Sequence, residues 1–265
     1  MKPQVYKDPR DPSYFTRFHE RVRNGRPDWV YTLVRMVLTP YLLILHRARA
    51  LETRHVPEAG PAIVAPNHFS FLDHFFVAVY LRRKVHFMAK SQLFKRPMQF
   101  IYTHGGVFPV RRGFRDEEAF KTAHTILNRG DIVLMYPEGG RSRSGELGEP
   151  KSGLGRLALE SGAPVVPTAI VGTHKARNWK RLNFPQVTVL YGDPVRFEKI
   201  ENPTREQQQA AAELVFERVK ALYDGLREGG RKTAIERART AGRAAAEQAR
   251  VTVSQGSDSS AVSRQ

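Results

Sequence analysis

The sequence predicts an α/β fold, a largely parallel sheet flanked by helices. Three observations predict it. Apolar runs too short for helices recur at Ala62–Ala65, Val85–Ala89, Val107–Val110, Ile132–Tyr136, Val165–Val171 and Val187–Tyr191. Helix-like stretches near 71–82, 92–102, 115–128 and 153–161 separate most of them, and strands alternating with such helices pair in parallel. Helix stops stand where the alternation needs them, Gly130 after one helix, Gly162 and Pro164 after another.

Taken in order, residues 1–28 read as a polar arm with a short helix around Tyr14–Arg23. The next 17 residues, Trp29 to Leu45, carry a single charge, Arg35, and are interrupted by Pro40. A spanning helix needs about 20 apolar residues, and proline removes an internal hydrogen bond. Trp29, Tyr31 and Arg26 flank one end; His46, Arg47 and Arg49 flank the other. Aromatics and cations in those places suit a helix lying in one leaflet rather than crossing, although a core helix of the body has the same length. Residues 1–50 are therefore read as an arm plus an N-terminal apolar, membrane-associating helical segment. The body follows over 51–228. Near its end Thr204 and Gln207 form a capping box before a helix with Val215, Val219 and Leu222 on one face, stopping near Gly225. Residues 229–265 are basic and of low complexity, and are expected to form a disordered tail.

The chain has 265 residues, 41% of them apolar, which suits one or two domains with a sizeable core. Its 43 basic and 26 acidic side chains leave a charge of +17. Much of that excess lies outside the body: six basic against two acidic residues over 231–250, and seven against four before Trp29. Such runs are commonly solvated faces. They also fit an anionic membrane surface, a phosphorylated substrate or nucleic acid. The cysteine count is zero, which excludes disulfides, thiolate nucleophiles and thiolate metal sites. No basic-then-apolar leader opens the chain, which reads against secretion.

Ligands of open α/β sheets collect where strands end and loops leave for helices. Asn67 and His68 follow one strand, Arg111 another, and Glu138-Gly139-Gly140-Arg141 a third. His68 in the loop and Asp73 in the first turn of the next helix can meet, and a carboxylate on Nδ1–H leaves Nε2 as a base. The same spacing makes Ser70-x-x-Asp73 a capping box, so Asp73 has a purely structural reading as well. A metal site with His74 is disfavoured, because consecutive helix residues diverge and no third ligand is evident. The glycines admit close backbone approach, and Arg141 offers a fork for phosphate or carboxylate. The stretch to Lys151 is basic and Gly-rich but lacks the P-loop pattern. No nucleophile-elbow or dinucleotide motif occurs.

Four blocks in order now show a resemblance to the glycerolipid acyltransferases typified by 1-acyl-glycerol-3-phosphate acyltransferase, over roughly residues 51–200. Asn67-His68-x4-Asp73 resembles the block that supplies the base and its orienting carboxylate. Gly105-Gly-Val-Phe-Pro-Val-Arg111 is similar to the second, whose arginine belongs to the acceptor phosphate site. Tyr136-Pro-Glu138-Gly139-Gly-Arg141-Ser142 resembles the third, which contributes to acceptor binding, and Val165-Val-Pro167 the fourth, which shapes the acyl-donor region. The resemblance implies catalysis by His68 and Asp73. It implies substrate contacts from Asn67, Arg111, Glu138, Gly139, Arg141, Ser142 and Pro167; the basic, Gly-rich stretch itself offers Lys151 as a further anion contact. It requires no metal or cofactor, only acyl-CoA or acyl carrier protein as co-substrate and a lysophospholipid acceptor. The expected place is the cytoplasmic face of the cell membrane, peripheral or monotopic, and nucleic acid is not the expected partner. Two departures bear on the acceptor: Gly140 stands where the family commonly has threonine, and Val110 where an acidic residue often precedes the arginine. Acylation of another lyso-lipid, transacylation, and a non-catalytic basic surface-binding role are the alternatives.

Overall fold

The computed structural model describes residues 8–111, 116–142, 144–174 and 184–262, with side chains described as far as residue 241. Two helices, α1 (Ser13–Asn24) and α2 (Trp29–Pro40), precede the sheet. Strands β1 (Arg49–Leu51), β2 (Ala62–Pro66), β3 (Val85–Lys90), β4 (Val107–Val110), β5 (Ile132–Leu134), β6 (Val165–Val171) and β7 (Thr188–Tyr191) form one sheet. The connecting helices are α3 (Asp73–Ala78), α4 (Met98–His104), α5 (Glu117–Asn128) and α6 (Ser152–Ser161), and α7 (Arg205–Val262) closes the chain.

The strand order is β1-β7-β6-β2-β5-β3-β4. Every pair is parallel except β6–β7, where Val171 lies opposite Thr188. β2 is central and buried throughout, because its side chains alternate between two cores. Ile63 joins Ile126, Leu154 and Val215 on one face. Val64 joins Leu42, Phe76, Leu134 and Tyr191 on the other. Helices α6 and α7 cross so closely that a Cβ on Gly155 would lie 1.8 Å from the Gln208 carbonyl oxygen. The predicted capping box starts α7, with Thr204 N–H donating to Gln207 and Gln207 N–H to Thr204 Oγ1 at 2.8 and 3.3 Å.

Four expectations need correction. The N-terminal arm is not a separate solvated piece: Phe15, Phe18 and Val22 of α1 are buried, and His19 Nδ1 lies 2.9 Å from Thr122 Oγ1 on α5. β1 was not expected; it is short and charged, and pairing with β7 makes it a strand. The helix begun at Thr204 runs past Gly225, where a single glycine lowers helix stability by only about 1 kcal/mol, and breaks at Gly230, close to the expected end of the body. The tail expected to be disordered is helical to Val262 after a break at Gly230 (φ 69°, ψ 172°), and alanines favour that helix over 234–249.

The apolar segment is α2 followed by a π turn over Tyr41–Leu45, so the chain changes its winding directly after Pro40. Val30, Tyr31 and Leu42 face the core, while Trp29, Met36, Val37 and Ile44 are 61–70% exposed. Among the described residues no single helix is long and apolar enough to cross a membrane; α1 and the Trp29–Leu45 segment meet at 87°.

Candidate active site

The site is built on the end of β2. The Asn67 side chain donates to the Ile170 carbonyl at 3.0 Å and accepts from the Ile170 N–H at 2.7 Å. It is fully buried, and its amide fastens the strand exit to β6. His68 leaves the sheet at that fixed point. Its Nδ1 lies 2.9 Å from Asp73 Oδ2, and that oxygen also accepts the Phe69 and Ser70 N–H groups, both at 2.7 Å. The capping and catalytic readings of Asp73 therefore coincide in one oxygen. Asp73 has no exposed surface, and among the described residues Oδ1 has no hydrogen-bond partner. An imidazole donating Nδ1–H to such a carboxylate is held in the tautomer with its lone pair on Nε2, and any positive charge it gains is compensated.

The loop after β5 grips the same histidine. Glu138 Oε1 accepts the His68 N–H and Oε2 the Gly148 N–H, each at 2.8 Å. The Ser142 N–H donates to the His68 carbonyl at 2.9 Å. Burial pushes the Glu138 carboxyl up, with the two amides opposing. Glu138 thus holds the His68 backbone and clasps its own loop, each oxygen accepting one backbone N–H. The Tyr136 ring stacks on His68 at 3.7 Å between centroids and 14° between planes. Its hydroxyl has no hydrogen-bond partner among the described residues, and burial raises its pKa well above the ordinary value.

Arg141 is exposed on this loop, and its charge reaches the Tyr136 and His74 side chains. His74 packs against Phe71, Phe75 and Phe87. Burial, aided by the charges of His68 and Arg141, drops it to about 3, so it stays neutral. Gly139 turns the loop, its N–H donating to the Tyr136 carbonyl at 3.0 Å. The Lys151 N–H closes the loop on the Pro137 carbonyl at 2.9 Å, while its amine stands in solvent 3.9 Å from Glu149.

Arg111 ends β4 at the same sheet edge, two strand positions from β5, or roughly 10 Å. Its N–H donates to Asp116 Oδ2 at 2.6 Å, and Asp116 also caps α5. A carboxylate missing at position 110 is thereby supplied to the backbone from position 116. Pro167 lies inside β6 opposite Ala65, below the edge, its carbonyl accepting the Gly192 N–H at 2.8 Å. The structure brings His68, Asp73, Glu138, Arg141 and Ser142 together, sets Arg111 to one side, and leaves Asn67 and Pro167 in the sheet. Sequence reasoning missed Tyr136 as a site residue. An aromatic at the last position of an apolar run, just before Pro-Glu, was the available signal.

A histidine–aspartate pair at a sheet edge, with an arginine loop above it, is an arrangement able to take a proton from a hydroxyl. Residues 48–171 match the family model described as Acyltransferase. The chain is 30% identical over 159 residues to a chloroplastic 1-acyl-sn-glycerol-3-phosphate acyltransferase of Arabidopsis thaliana, covering 58% of this chain and 44% of that one. The human enzyme named beta is 30% identical over 54% of this chain and 53% of its own length. The Bacillus subtilis enzyme of that name is 25% identical over 67% and 89%. This chain therefore spans about half the length of the plant and human relatives. The fold matches the crystal structure of PlsC, the 1-acyl-sn-glycerophosphate acyltransferase of Thermotoga maritima, with TM-score 0.53 and 22% identity over 79% of this chain and 88% of that one.

Proposed function

We propose that this chain transfers a fatty acyl group from an acyl thioester, acyl-CoA or acyl carrier protein, to the free hydroxyl of a lysophospholipid, with 1-acyl-glycerol-3-phosphate as the acceptor. The observation that carries the reading is the 2.9 Å His68–Asp73 contact at the β2 end, inside the segment that the Acyltransferase family model matches. His68 Nε2 takes the hydroxyl proton as the acceptor oxygen attacks the thioester carbonyl. The tetrahedral adduct collapses with cleavage of the C–S bond, and the imidazolium returns its proton to the departing thiolate. Asp73 stabilises the imidazolium between those steps. Arg141, with Arg111 beside it, holds the acceptor phosphate, and Tyr136 fixes the plane of the base.

The reading places the protein on the cytoplasmic face of the cell membrane, with Trp29, Met36, Val37 and Ile44 in the lipid. No cofactor enters the chemistry. General-base catalysis contributes about 10²–10⁴ in rate. The test is release of free thiol from acyl-CoA and acyl carrier protein by the purified protein across a panel of lyso-lipids. His68→Ala is expected to lose at least a hundredfold while remaining folded. An active, folded variant defeats the assignment. Gly140, where the family commonly carries threonine, is the reason the panel includes acceptors other than lysophosphatidate.

A further inference from the structure

A second cationic site stands on the same edge of the sheet. Beyond α2, a cavity of about 710 Å³ opens between the start of β1 and the break in α7, with Arg47, Arg49, Arg231 and Lys232 among its lining residues. Leu43 and Ile235 supply apolar walls. β1 and β7 run opposite to β2, and Arg49 lies level with Thr188, which lies opposite Val171 at the end of β6. The β1 start therefore shares an edge with the β2 end, three strand positions away, or roughly 14 Å from the exit to His68.

Among the described residues none of these four cations takes part in an ion pair. Arg231 donates Nε–H to Thr188 Oγ1 and Nη1–H to the Arg47 carbonyl, both at 2.7 Å, and Nη2–H to the Val187 carbonyl. All three acceptors are neutral. Arg47 takes a φ of 41°, which fits its carbonyl to that contact. Burial, with repulsion from Arg49 and Arg47, lowers Arg231 to about 10, leaving it charged at neutral pH. Arg49 and Lys232 are exposed, and neither takes part in an ion pair among the described residues. A guanidinium held by three hydrogen bonds, with exposed cations beside it, is an arrangement that can receive a phosphate. Leu43 lines the cavity and is 40% exposed, and Ile44 next to it is 70% exposed, which offers apolar surface beside the cations.

We propose that this cavity binds the headgroup phosphate of an anionic phospholipid and fixes the protein on the bilayer with the His68 edge facing the membrane. The site deepens the membrane-docking part of the function proposed above and rests on it; the occupant is a bilayer lipid distinct from the acceptor.

The test is flotation of the full chain with phosphatidylcholine vesicles, with and without phosphatidylglycerol. The wild type is expected to prefer phosphatidylglycerol, and Arg49→Gln with Lys232→Gln to lose that preference by roughly thirtyfold, two surface cations contributing about fivefold each. Arg82→Gln, an exposed cation before β3 on the opposite edge, is expected to change binding by less than twofold. Equal losses from both charge removals, or no preference in the wild type, would overturn the proposal. Displacement from vesicles by millimolar inorganic phosphate would assign the cavity to a soluble phosphate instead, and also overturn it. His68→Ala is expected to float like the wild type, so failure of the catalytic reading is seen separately from failure of this one. Unchanged melting temperatures confirm that the variants are folded.

Discussion

Glu138 shows why residue types announce a site more readily than they announce roles. The pattern of histidine, aspartate, glutamate and arginine is visible in the sequence, and the His68–Asp73 pair forms as spacing suggests. Nothing in the spacing says that both Glu138 oxygens accept backbone N–H groups, because Gly148, one of the donors, lies ten residues away. A glutamine there accepts one amide and opposes its own NH₂ to the other. Glu138→Gln is expected to lose about 1–3 kcal/mol of stability and to lower kcat roughly tenfold or more by loosening His68. The acceptor KM is expected to stay near wild type, since the group holds the base and not the substrate. A raised KM with unchanged kcat would return Glu138 to acceptor binding. The Tyr136 hydroxyl was equally illegible, being defined only by what surrounds it. It is buried without a partner among the described residues. Tyr136→Phe is therefore expected to leave stability unchanged or raise it by up to about 1 kcal/mol, read by chemical denaturation. Destabilisation would show that the hydroxyl has a partner in solution.

Among the elements, the strands were legible where burial alone dictates them: β2, β3, β4 and β6 are apolar runs that neighbouring strands and helices cover. β1 was not, because Arg-Ala-Leu becomes a strand only through the edge that β7 offers it. The docking of α1 was hidden for a related reason, its apolar stripe of Phe15, Phe18 and Val22 lying within a strongly polar sequence. Segment α2 combines both cases, with one face in the core and the other exposed. Removing the whole N-terminal segment would strip Leu42 and Phe15 from the core, so single exposed positions are the proper probe. Met36→Glu with Ile44→Glu is expected to weaken binding to uncharged vesicles by more than tenfold at unchanged melting temperature. Each buried apolar side chain contributes about 1.5–3 kcal/mol. Vesicle binding indifferent to these changes would put the membrane contact elsewhere. Between elements, the α6–α7 crossing depends on the bare Gly155. An added methyl there meets the Gln208 carbonyl, and Gly155→Ala is expected to cost at least 1–3 kcal/mol, about the usual penalty of overpacking, in denaturant melts.

At the scale of the whole molecule, the distribution of protons matters as much as the charge of +17. Burial lowers four histidines below the ordinary 6.5: His19 to about 4, His74 to about 3, and His46 and His86 in the same direction. Each is neutral in the folded protein at neutral pH. The unfolded chain takes up these protons as pH falls below about 6.5, so stability is full above that value and is lost progressively toward pH 4. Two carboxylates extend the loss to lower pH. The hydrogen bond from Arg10 holds Asp8 well below the usual range, against its burial. Burial would raise Asp131, but the nearby His86 ring and the hydrogen bonds from Arg129 and Arg26 outweigh it. Both are stabilising while ionised, and that contribution disappears as they protonate. Glu138, raised by burial, acts in the opposite sense and alone cannot reverse the trend. The unfolding free energy is therefore expected to fall between pH 6.5 and 4, by up to about 1.4 kcal/mol per pH unit for each histidine that titrates. His19→Gln keeps a polar group against Thr122 without the titration, and is expected to flatten the profile in that window. Denaturant melts across the pH series read both slopes. A wild-type profile that is level from pH 7 to 5 would mean that these histidines are open to solvent, and that α1 does not rest on α5 as described.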